Sequence, residues 1–138
     1  MTHSSINDEL QVLIIDDQAL MRKIIRGLLR DAGIRNVSEA ENGRDGLDQL
    51  LDFSKKFPDI IICDLHMDEM SGTEFIHKLR RSKKIRDANV PVIVLTGESD
   101  GMVLDVTEQV GANAVLQKPV TPTVLHQEIE KAVGYQLA

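Results

Sequence analysis

Pro58-Asp59-Ile60-Ile61-Ile62-Cys63-Asp64-Leu65-His66-Met67 is an apolar run that ends abruptly in a carboxylate and leaves in a turn-like sequence. From Ile60 to Cys63 it is short, rich in β-branched residues and unbroken by polar ones, which suits a strand covered on both faces inside a parallel sheet. Asp64 then stands at the carboxyl end of that strand. In open α/β sheets ligands bind along that edge, so an acid there is a candidate for chemistry.

The stretches on either side repeat the pattern. Val12-Leu13-Ile14-Ile15 reads as a buried strand ending in Asp16-Asp17, and Val90-Pro91-Val92-Ile93-Val94-Leu95 as another ending in Thr96-Gly97-Glu98. Asn36-Val37-Ser38-Glu39-Ala40 is a short second strand, and Asn113-Ala114-Val115-Leu116-Gln117 a fifth that stops at Lys118-Pro119. Helices are predicted between them. Leu20, Met21, Ile24, Ile25, Leu28 and Leu29 have amphipathic spacing over 19–32, with Gly33 placed to end that helix. After a turn at Glu41-Asn42-Gly43, the residues Gly46, Leu47, Leu50, Leu51 and Phe53 mark a second helix. Phe75, Ile76 and Leu79 follow a break at Met70-Ser71-Gly72 and start a third, running out into Arg80-Arg81-Ser82-Lys83-Lys84. A fourth is predicted around 102–110 with a thin apolar face, and a fifth from the Thr121-Pro122 cap through Val133. Strict alternation of strand and helix requires right-handed crossovers and a parallel sheet between helical layers, an α/β doubly wound fold.

With 138 residues, 42% hydrophobic and 28% charged, the chain is expected to form one domain. Residues 1–9 read as a flexible polar lead-in and 10–138 as the domain, with no room for an output domain. A net charge of −6 argues against DNA or RNA held through phosphates, and no apolar run approaches the ~20 residues that span a membrane. The single cysteine, Cys63, and the polar start predict a cytoplasmic protein.

The strand ends gather Asp16, Asp17, Asp64, Thr96 and Lys118. Alone, each has an ordinary reading: an aspartate as a helix cap, a threonine as a cap, a lysine on the surface. Together they form a site. Three carboxylates repel one another unless a cation neutralises them, and an all-oxygen set suits a hard divalent ion such as Mg2+. A nucleophilic carboxylate, a metal and further donors are what phosphoryl transfer needs, so the set is complete for an acyl phosphate on Asp64.

These residues resemble the receiver domains of two-component response regulators over roughly 10–133. The resemblance rests on Asp16-Asp17, Asp64 in Asp64-Leu65-His66-Met67, Gly72, Thr96-Gly97 and Lys118-Pro119, in order and each at its strand end. The run from Asp16 to Arg26 is most similar to the stand-alone chemotaxis, CheY-like type. The resemblance implies a flavodoxin-like fold of five parallel strands in order 2-1-3-4-5 with five helices. It implies that Asp64 takes a phosphoryl group from a sensor histidine kinase or histidine phosphotransfer protein. Asp17, Asp64 and the backbone carbonyl of His66 would ligate Mg2+, with Asp16 acting mainly through water. Lys118 would pair with the phosphoryl oxygens, and Thr96 would turn its hydroxyl inward, coupling the chemistry to a surface of the fourth helix, fifth strand and fifth helix that meets an unknown downstream protein.

Some positions depart from the family pattern. Val115 stands where many members carry a mobile aromatic ring, and Asp68 where a proline is common. His66 and Glu98, each two residues after a site residue, lie where the family tunes water access, so both are expected to modulate dephosphorylation. His77 and His126 read as helix-surface residues, Cys63 as a buried small hydrophobe, and the basic run from Lys78 to Arg86 as a solvated helix end. Two rival functions remain: an aspartyl-phosphate phosphatase, disfavoured because His66 replaces the second acid such enzymes place there, and a phosphorylation-independent adaptor, disfavoured because no acid or lysine is missing. The chain is therefore expected to catalyse only its own phosphorylation and dephosphorylation.

Overall fold

The computed structural model describes residues 9–134; most of the expected lead-in, and the last residues of the domain as drawn from sequence, lie outside them. Five strands form one sheet: β1 (Gln11–Ile15), β2 (Asn36–Ala40), β3 (Ile60–Asp64), β4 (Val92–Thr96) and β5 (Ala114–Gln117). Their order is β2-β1-β3-β4-β5 and every pairing is parallel. The fold expectation is met.

Strand alternation builds two cores. Leu13, Ile15, Ile61, Cys63, Val92 and Val94 face one side, where they meet α2 (Gly43–Leu51), α3 (Gly72–Arg81) and α4 (Gly101–Gln109). Val12, Ile14, Ile60, Ile62, Ile93 and Leu95 face the other, against Ile25 and Leu29 of α1 (Ala19–Asp31) and Leu125 and Ile129 of α5 (Pro122–Val133). Sequence neighbours thus go to opposite layers, which is why unbroken apolar runs suit these strands. Asn42, Ser71, Asp100 and Thr121 cap α2 to α5, each side chain accepting a backbone N–H of its first turn. Gly33, just beyond α1, takes a left-handed φ of 84°, which glycine adopts without a Cβ penalty.

Three sequence expectations need correction. Gly43 is the first residue of α2 rather than part of a turn, and α2 stops at Leu51, leaving Phe53 beyond the helix and 65% exposed. α3 ends at Arg81 with Ser82 as its C-cap, so Lys83 and Lys84 lie past it. The basic run is also not uniformly solvated. Arg80 turns inward and donates to the carbonyls of Ala88, Val90 and Gly111, and burial lowers its pKa. Arg86 lies over the rings of Phe53 and Phe57 at 4.9 and 5.1 Å. Among the described residues no helix is long and apolar enough to cross a membrane.

Candidate functional site

Because all five strands run the same way, their carboxyl ends share one edge, and the predicted residues meet there. One oxygen from each of Asp16, Asp17 and Asp64 lies within 4.8 Å of the others. Lys118 approaches from the end of β5, its Nζ 3.5 Å from Asp64 Oδ1 and 3.8 Å from Asp16 Oδ2. Thr96, the last residue of β4, is fully buried, and its hydroxyl accepts the Glu98 N–H at 3.0 Å. The Lys118 N–H donates to the Thr96 carbonyl at 2.7 Å, joining the ends of β4 and β5.

Each acid is oriented by backbone. Asp16 Oδ1 accepts the Gln18 N–H, and Asp64 Oδ1 the Leu65 N–H. Asp17 Oδ2 accepts the Asp68 N–H at 3.1 Å, a donor that a proline at that position would lack. The departure at Asp68 thus supplies a tie between β1 and the loop after β3. Asp16 Oδ2 is buried with no hydrogen-bond partner. Burial raises the Asp16 pKa, the nearby Asp64 charge adds to that, and the Gln18 bond and Lys118 oppose it.

This donor set fits a hard divalent cation. It is all carboxylate, it converges, and it contains a buried oxygen that accepts no hydrogen bond and has only the Lys118 ammonium 3.8 Å away. A cleft of about 440 Å³ lined by Asp17, Ala19, Arg22, Glu41, Asn42, Asp68 and Glu69 leads to it. A larger cavity, about 510 Å³, lies at the starts of β1 and the end of α2 and contains none of the predicted site residues.

The two positions expected to modulate the site are in contact. His66 Nε2 and Glu98 Oε1 are 2.9 Å apart, bridging the loops after β3 and β4. Glu98 also accepts the N–H groups of Asp100 and Ser99, and those bonds, with His66, lower its pKa. Val115 is half-buried against the α2–α4 core, carrying no ring to move. Cys63 is fully buried, and burial followed by the Asp64 charge drives its pKa up, in keeping with a core role. His77 is exposed; His126 is half-buried, 3.9 Å from Glu130.

Sequence reading missed one group beside the site. Arg22 donates to the Asp16 carbonyl at 2.7 Å and to Glu39 at 2.8 Å, and Arg26 holds the other Glu39 oxygen. The available signal was two arginines one turn apart on the polar side of α1, facing a lone acid on β2.

Comparison with known proteins gives the family of the chain. The model of the response regulator receiver domain matches residues 12–130. The chemotaxis protein CheY of Pseudomonas aeruginosa is 34% identical over 88% of this chain and 94% of its own length. A CheY homolog of Campylobacter jejuni is 34% identical over 91% and 93% respectively. The solved structure of Vibrio cholerae chemotaxis protein CheY4 superposes with a TM-score of 0.75 at 30% identity, covering 89% of this chain and 98% of that one. By fold, site and relatives, the chain belongs to the response regulator receiver domain family.

Proposed function

We propose that the chain is a stand-alone, phosphorylation-controlled switch that receives its phosphoryl group on Asp64 from the phosphohistidine of a sensor histidine kinase or histidine phosphotransfer protein. The observation that carries this reading is the convergence of three carboxylates, one with an orphaned buried oxygen, beside a lysine that reaches two of them. Relatives of CheY type, matched over nearly their whole length, support the stand-alone part. The acidic net charge favours protein partners over DNA.

In the transfer, an Asp64 carboxylate oxygen attacks phosphorus, a P–O bond forms, the P–N bond to the donor imidazole breaks, and the electron pair leaves on that nitrogen. Asp16, Asp17, Asp64 and the His66 carbonyl would hold Mg2+, which when bound neutralises charge on the phosphoryl oxygens. Lys118, already 3.5 Å from Asp64, would shift to the phosphoryl group. The Thr96 hydroxyl would leave the Glu98 N–H and donate to a phosphoryl oxygen, loosening the loop that leads into α4. The switching surface is then α4, β5 and α5. Because Val115 has no ring to swing, the change would be carried by that loop and helix. His66 stands where aspartyl-phosphate phosphatases place a second acid, which supports a chain that acts on its own acyl phosphate rather than on a separate substrate. With no membrane-crossing helix among the described residues, a cytoplasmic setting fits.

A histidine phosphotransfer protein carrying labelled phosphohistidine tests the reading. Wild-type chain is expected to drain the label in the presence of Mg2+, and Asp64→Ala to leave it in place. Equal transfer to both would exclude Asp64 as acceptor, and no transfer from a panel of donors would favour the phosphorylation-independent adaptor.

A further inference from the structure

Asp16 is fixed at every polar atom except the orphaned Oδ2. Its N–H donates to the Ala40 carbonyl at 3.2 Å, its Oδ1 accepts the Gln18 N–H at 2.9 Å, and its carbonyl accepts Arg22 Nη1 at 2.7 Å. The last contact comes from a side chain only 13% exposed, whose Nε is also bound to Glu39 at 2.8 Å. Glu39 is itself locked, because Arg26 donates to its second carboxylate oxygen and to the Val37 carbonyl. The guanidinium therefore ties the end of β1 to β2 through a rigid fork.

We propose that Arg22 is a positioning residue for the cation site, holding the main chain at Asp16, and with it the adjacent Asp17, so that both acids stay convergent with Asp64. The proposal rests on the reading that these three acids bind Mg2+. Mutual repulsion among three carboxylates within 4.8 Å of one another favours spreading of the β1 end, and a main-chain anchor opposes that spreading. Lys118 cannot do this, because it approaches the carboxylate oxygens that a cation would occupy. Among the described residues the Arg22 side chain hydrogen-bonds the Asp16 carbonyl and Glu39 and no carboxylate oxygen of the three site acids, so it stays in place when those oxygens are engaged. Arg26 supplies the natural control: it shares Glu39 with Arg22 and contacts no part of Asp16.

The test is calorimetric titration of the metal-free full chain with MgCl2, with thermal denaturation to establish that each variant is folded. Arg22→Gln is expected to weaken Mg2+ binding by about tenfold, the scale seen when outer supports of metal ligands are removed. Arg22→Gln combined with Glu39→Gln restores the charge balance and is expected to remain weak. Arg26→Gln removes the same unit of charge and is expected to bind as wild type. Arg22→Lys, which keeps the charge but not the fork, falls between and serves if Arg22→Gln does not fold. If Arg22→Gln binds as wild type, if it binds more tightly because only its charge mattered, or if Arg26→Gln weakens binding equally, the proposal is overturned. Wild-type chain that takes up no Mg2+ would instead overturn the underlying reading of the acids, and the two failures are distinguished by that one titration.

Discussion

Asp16 brings a carboxylate to 1% exposure, with one oxygen on the Gln18 N–H and the other without a hydrogen bond, the Lys118 ammonium 3.8 Å away. That arrangement opposes stability and suits a bound cation. Burial lifts its pKa above the ordinary 3.8, so the folded chain holds that proton more tightly than the unfolded one, and stability falls as pH rises through 3.8 to the raised value. Asp16→Asn should therefore remove that part of the pH dependence, raise metal-free stability near neutral pH by about 1 kcal/mol, and reduce the gain on adding Mg2+. Thermal denaturation against pH, with and without the ion, measures all three. Gly72 acts by being small: a Cβ there would collide with the Asp64 carbonyl oxygen and crowd Leu65 Cα. Both are backbone atoms, so Gly72→Ala is expected to cost about 3 kcal/mol in denaturant unfolding. His66 and Glu98 bridge the loops that follow β3 and β4, the strands that end in Asp64 and Thr96. Replacing both with Ala should shorten the phosphorylated lifetime several-fold by admitting water, and an unchanged lifetime would remove them from that role. Sequence marked these two residues separately, from their offsets; that they touch depends on how two loops fold toward each other, which no local pattern encodes.

At the scale of elements, α4 is the weakly anchored helix. Thr107 is its one fully buried residue, while Met102 is 76% and Val106 45% exposed. Thr107 Oγ1 donates to the Val103 carbonyl and lies 3.1 Å from the Thr73 hydroxyl, one residue into α3 from Gly72. Two expectations follow from that thin attachment. Amides of α4 should exchange with deuterium before those of α1, α2, α3 and α5, and Thr107→Val should speed that exchange while costing about 1 kcal/mol overall. The edge strand β2 is protected by side chains, since Gln49 donates to the Glu39 carbonyl and Arg26 to that of Val37. Glu39 has its pKa lowered, foremost by its bond to Arg26, so its contribution is fully present above the ordinary 4.5 and is lost as pH falls below it. Glu39→Gln should flatten that acid limb. The strands were legible because each is a short apolar run ended by a polar group. Helix ends were less so: Phe53 continues the apolar rhythm of α2 but lies beyond its end, under Arg86, and Ser82 stops α3 inside a basic run that reads as continuous.

Across the whole molecule, a parallel sheet in the order β2-β1-β3-β4-β5 brings Asp16, Asp17, Asp64, Thr96 and Lys118 to one edge although they span a hundred positions of sequence. That much could be read from strand ends alone, because parallel strands put all their carboxyl ends together. The ties that set the geometry could not: Asp68 to Asp17, His66 to Glu98 and Arg22 to Asp16 join different loops and depend on twist and packing. The convergent acids also predict a global effect. Mg2+ at a hundred times its dissociation constant should stabilise the fold by about 2.7 kcal/mol, reversed by a chelator.

The central claim is that this edge phosphorylates Asp64 with a divalent cation. Intact-protein mass spectrometry after incubation with acetyl phosphate and Mg2+, run beside Asp64→Ala and a chelator-treated sample, tests it most directly. The account predicts a gain of one phosphoryl mass in wild type with Mg2+ alone. The same gain in Asp64→Ala, or a gain that persists in chelator, would contradict it.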